Sequence, residues 1–109
     1  MVKVFISQPM ADRTDKQIKD AREAAINNIK SLLPGEEIEV IDSFFEGAPH
    51  DAKPLWFLGK SLQLLSTADV AYFIDDWDKY RGCRIENFCA HEYGVKVFEQ
   101  CRIEVVSEE

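Results

Sequence analysis

The residues best suited to chemistry lie in two stretches of the chain. One is Ser7-Gln8-Pro9, directly after the apolar run Val2 to Ile6. The other runs from Asp75-Asp76-Trp77 through Arg81-Gly82-Cys83 to Glu86. Asp75 and Asp76 are adjacent carboxylates after a β-like run, a pair able to hold hydroxyls or move protons. Their structural alternative is a solvated turn, where Asp is common. Glu86 falls near the start of a helical segment, where the helix dipole favours an anion. A first-turn Glu that merely stabilises its helix is the plain alternative. Arg81, Arg84 and the amides after Gly82 suit an anionic group such as a phosphate, although Arg84 serves equally well as a surface charge. Trp77 offers a stacking face or a loop anchor. Cys83, at a helix start, is expected to have a lowered pKa, but no partner base is visible for a cysteine nucleophile. Ser7, Gln8 and Pro9 sit where the loop after a first strand would contact a bound substrate, and they carry no glycine-rich fingerprint, which excludes a P-loop or dinucleotide motif. His50 and His91 lack paired ligand spacing, so no metal site and no cofactor is expected.

Composition narrows the setting. The 109 residues carry a net charge of −7, which argues against nucleic-acid binding, since phosphate neutralisation needs clustered Lys and Arg. No apolar run is long enough to span a bilayer, and Val2 to Ile6 is too short for the apolar core of a signal peptide. Three widely spaced cysteines (Cys83, Cys89 and Cys101) form neither a disulfide framework nor a Cys-x-x-Cys motif. A reducing, cytoplasmic compartment fits that usage. The length accommodates one domain, spanning residues 1–109.

The elements that must position these residues alternate. Val2 to Ser7 reads as a buried strand. Thr14 and Gln17 have capping-box spacing, and Ile18, Ala21, Ala25, Ile29 and Leu32 give the helix that follows one apolar face, ended by Pro34-Gly35. Glu37 to Ile41 is a short strand, and Asp42 to Lys53 a long loop. Pro54 opens a second helix with Leu55, Leu58, Leu62 and Leu65 as its buried stripe. Val70 to Ile74 is a central strand. Gly82 to Tyr93 is a third helix with Ile85, Phe88 and Cys89 facing the sheet, stopped by Gly94. Val95 to Phe98 is a fourth strand, and Cys101 to Val106 a candidate fifth, at the edge. Right-handed crossovers then predict a three-layer α/β fold, a flavodoxin-like or Rossmann-like parallel sheet of four to five strands flanked by helices. Its ligand site would lie at the carboxyl ends of strands one and three.

Several of these pieces recur together in one family. Phe5-Ile6-Ser7-Gln8-Pro9-Met10, Ala68-Asp69 before strand three, Gly82 four residues before Glu86, and Ala90 with Gly94 closing the helix resemble the nucleoside 2-deoxyribosyltransferase-like proteins. The resemblance covers Lys3 to about Val97, and many short members of that family are uncharacterised. It implies that Glu86 is a carboxylate nucleophile attacking an anomeric carbon of a nucleoside or nucleotide, with a glycosyl ester as intermediate. It also implies a homodimer or higher homo-oligomer, and Phe44, Phe45, Trp56 and Phe57 offer apolar surface to bury.

Three positions depart from the family pattern. Phe5 stands where many transferases carry a Tyr, Ser61 where many carry an Asp in the second helix, and Tyr80 where many carry an Asp before the glycine. A hydroxyl cannot replace a carboxylate that binds a sugar or relays a proton. Asp75 and Asp76 are candidates to supply the missing acid. Two readings therefore stand: cleavage or transfer at an N-glycosidic bond, and a nucleotide-binding module without turnover. A phosphoacceptor receiver is set aside, because Ser7-Gln8-Pro9 offers no acidic pair for magnesium.

Overall fold

The computed structural model describes residues 1–42 and 48–100. The strands are β1 (Val2–Ser7), β2 (Ile38–Val40), β3 (Val70–Phe73) and β4 (Lys96–Glu99), and the helices α1 (Asp15–Leu32), α2 (Pro54–Leu65) and α3 (Arg81–Glu92). A single 3-10 turn, Trp77–Lys79, leads into α3. The strands form one parallel sheet in the order β2-β1-β3-β4. This is the three-layer α/β arrangement expected. The fifth-strand segment and Phe44 and Phe45 lie outside the described residues.

Alternation along the strands separates the two cores. Val4 and Ile6 of β1 and Val70 and Tyr72 of β3 point to one face, where Ala25 and Ile29 of α1 cover them. Phe5, Ala71 and Phe73 point to the other, against Leu65 of α2 and Ala90 of α3. The period of two in a strand puts Ser7 on the same face as Phe5, towards α3. The carboxylate of Asp69 accepts from the backbone N–H of Lys3 at 2.9 Å, and the N–H of Asp69 donates to the Lys3 carbonyl. This residue therefore joins the start of β3 to β1. Among the described residues no helix is long and apolar enough to cross a membrane.

Three details differ from expectation. The capping box of Thr14 and Gln17 forms and α1 runs as expected, but Leu32 is 48% exposed and Leu33 packs on the core in its place. The helix ends at Leu32, and the turn swings the next residue inward. Leu55 is 76% exposed, because the first turn of α2 walls a surface groove and does not reach the sheet. The largest difference is in α3. Its buried residues are Cys83, Glu86, Asn87 and Ala90, while Phe88 is 66% exposed. Spacing of three and four residues keeps these four on one stripe, and that stripe is largely polar.

Candidate functional site

The inward turn of α3 brings Glu86 over the carboxyl end of β1. There the Ser7 hydroxyl donates to Glu86 Oε1 at 2.7 Å, with both side chains buried. The Ser61 hydroxyl of α2 is a second hydrogen-bond partner of the carboxylate. Glu86 is the sixth residue of α3, past the first turn where the dipole acts strongly. Burial therefore dominates its electrostatics and pushes its pKa above the ordinary carboxylate range, while the two hydroxyls pull it back. Cys83 departs from expectation in the same way. Burial pushes its thiol up to about 11, with Ser7 pulling down and Glu86 adding to the rise. It is a protonated, unreactive thiol at neutral pH.

These residues line a cavity of about 430 Å³, a size typical of small-molecule sites. Phe5, Ile6 and Ser7 come from β1, Gln8 and Met10 from the loop after it, Phe57 and Ser61 from α2, and Gly82, Cys83 and Glu86 from α3. A Cβ built on Gly82 meets nothing within 4 Å, so this glycine borders open space. Gly82 also lines an adjoining groove of about 550 Å³ that carries Lys53 and Arg81. Among the described residues no group of His, Cys, Asp and Glu side chains is arranged to hold a metal ion.

The other candidate residues lie elsewhere. Asp75 Oδ1 accepts from the backbone N–H of Asp76 at 3.0 Å. Asp76 adopts a left-handed conformation with φ of 72° and is paired with Arg13 at 3.3 Å and Lys79 at 3.1 Å. The two acids build the turn after β3 and do not line the cavity. Trp77 is half-buried and packs on Phe73 with ring centres 5.5 Å apart, against the core under α2 and α3. Met10 and Phe57 are the large, partly exposed apolar side chains at the cavity instead. Pro9 is fully buried beneath the loop. Gln8 donates its amide to the Ile18 carbonyl, which orients the side chain from within the protein.

Of the three departing positions, Phe5 and Ser61 line the cavity. Tyr80 instead donates its hydroxyl to the Ala11 carbonyl at 3.3 Å, with the Arg13 guanidinium 5.8 Å from its ring centre. This contact ties the loop after β1 to the start of α3. Sequence reasoning missed Phe57 and the pairing of Ser61 with Glu86. The spacing of four residues between Phe57 and Ser61, which puts both on one face of α2, was the available signal.

The fold and this cavity define a small parallel α/β domain with a buried carboxylate on α3 over the carboxyl end of β1. No protein-family model matches the chain, and no curated protein matches it either.

Proposed function

We propose that the cavity binds a nucleoside or nucleotide and that Glu86 cleaves or transfers its N-glycosidic bond. The observation that carries this is one buried carboxylate among the described residues, held by hydroxyls and bordering open space, at the carboxyl end of β1, the side of the sheet on which such folds bind ligands. A carboxylate oxygen of Glu86 bonds to the anomeric carbon as the bond from that carbon to the base nitrogen breaks, and the base takes up a proton from solvent. Water or a second base then attacks the same carbon and frees the carboxylate. Met10 and Phe57 would flank the base, and Lys53 and Arg81 beyond Gly82 would meet a 5′-phosphate. The resemblance of the motifs around Ser7 and Glu86 to nucleoside 2-deoxyribosyltransferase-like proteins supports the same chemistry.

This reading includes a cytoplasmic homo-oligomer, since Leu55, Phe88 and Tyr93 leave apolar surface on α2 and α3. A monomer in light scattering at micromolar concentration would count against it. One observation favours a second reading, nucleotide binding without turnover: among the described residues no carboxylate other than Glu86 lines the cavity. Incubation with ribonucleosides, deoxyribonucleosides and their 5′-monophosphates, with and without an acceptor base, separates the two. Chromatographic detection of free base that disappears in Glu86→Gln supports the enzyme. A ligand that raises the melting temperature of both proteins while neither releases base supports the binding module.

A further inference from the structure

The Ser7 hydroxyl is 1% exposed, and its only proton is committed to Glu86 Oε1. A group so enclosed does not serve as a substrate contact, the role its place at the end of β1 first suggested. Its backbone is fixed as well. Ser7 stands opposite Phe73 in the parallel pairing of β1 and β3, and its carbonyl accepts from the Ile74 N–H at 3.0 Å. Ser7 is thus a rigid donor on the sheet, aimed at the end of a glutamate side chain with three rotatable bonds.

We propose that Ser7 is a positioning residue that fixes one carboxylate oxygen of Glu86 against the end of β1, leaving the other as the reacting atom. The proposal rests on the reading of Glu86 as nucleophile. A carboxylate free to rotate presents either oxygen over a wide arc, and one hydrogen bond to a fixed point narrows that arc to a near-attack geometry.

The neighbours fit this role. Cys83, one turn before Glu86 on α3, is a side-chain partner of Ser7. The Ser7 proton is given to Glu86, and the thiol beside it is protonated and carries no charge. From α2 the Ser61 hydroxyl also favours the ionised carboxylate. Among the described residues no salt bridge reaches Glu86, and Arg13, on the β1–α1 loop, is paired with Asp76. Two hydroxyls therefore do the work that a cation or phenol would do elsewhere.

The test is carbon NMR of side-chain-labelled glutamate across a pH titration, with the Glu86 signal assigned by its loss in Glu86→Gln. Ser7→Ala removes one of the two donors to the ionised carboxylate, so its midpoint rises by on the order of one pH unit. Ser7→Thr, which keeps the hydroxyl, restores it. In the base-release assay Ser7→Ala lowers kcat about tenfold at neutral pH with KM nearly unchanged, and the acid limb of the rate profile moves with the NMR midpoint. If Ser7→Ala melts too low to titrate, Ser7→Cys keeps the volume with a weaker donor and is read the same way. An unmoved midpoint in a folded variant overturns the proposal. A moved midpoint in a protein that releases no base from any substrate leaves Ser7 as the anchor of Glu86 and removes the glycosidic reading instead.

Discussion

Gly82→Ala should pull stability and ligand binding in opposite directions. Gly82 is the second residue of α3 and, unlike Gly35 and Gly94, does not occupy the left-handed region. A Cβ there meets nothing within 4 Å, so the methyl group enters without a clash. Removing glycine's extra freedom in the unfolded chain then stabilises the fold by about 0.5–1 kcal/mol. For a domain of this size that raises the melting temperature by on the order of 4 °C. The same methyl stands between the Glu86 cavity and the groove of Lys53 and Arg81. A ligand passing from one to the other must shift around it, at a cost of about 1–3 kcal/mol if the site behaves like a packed interior. Binding of a nucleoside 5′-monophosphate by calorimetry should therefore weaken about tenfold or more. Thermal melts of the free protein and titrations with ligand supply the two halves. A lower melting temperature would refute the helical placement of Gly82. A higher one with unchanged affinity would refute the path of the ligand past it.

Three further outcomes follow from the structure. Burial holds the Glu86 proton on the native protein at pH values where the unfolded chain has released it. Stability therefore falls as pH rises from the unfolded carboxylate midpoint to the higher native one, by up to about 1.4 kcal/mol per pH unit for this one group. Glu86→Gln should lose that slope and gain over the wild type across the window in urea melts, and a parallel pair of profiles would show that Glu86 is not shifted upward. Phe73→Ala, at a fully buried position against Trp77, should cost about 3–5 kcal/mol in the same melts; a loss under 1 kcal/mol would mean that the core is not packed as described. Thr14→Ala removes the side-chain half of the capping box of α1 and should cost about 1 kcal/mol, with Thr14→Ser close to neutral.

The sheet was legible because its information is local. Val4, Phe5 and Ile6 form an apolar run that only a strand covered on both faces buries, and Thr14, Gln17 and Gly94 mark helix ends by their own chemistry. The handedness of crossovers then left little choice of strand order. The inward face of α3 was not legible, because Ile85, Phe88 and Cys89 suggest an apolar stripe while the buried stripe carries Cys83, Glu86 and Asn87. What makes that burial tolerable lies far off in sequence: the Ser7 hydroxyl is 79 residues from Glu86. Likewise Asp76 reads as a free carboxylate until Arg13, 63 residues away, is seen to pair with it. Residue types named the candidate nucleophile, whereas the partners that set its charge and direction belong to tertiary structure.

The central claim is that Glu86 forms a bond to the sugar. It is tested most directly by mixing the protein with each nucleoside and nucleotide, quenching in acid and mapping any added mass by peptide mass spectrometry. The account predicts a pentose, or a phosphorylated pentose, on the peptide containing Glu86, formed as free base appears and lost in Glu86→Gln. Base release that persists undiminished in Glu86→Gln, with no sugar on that peptide, would contradict it.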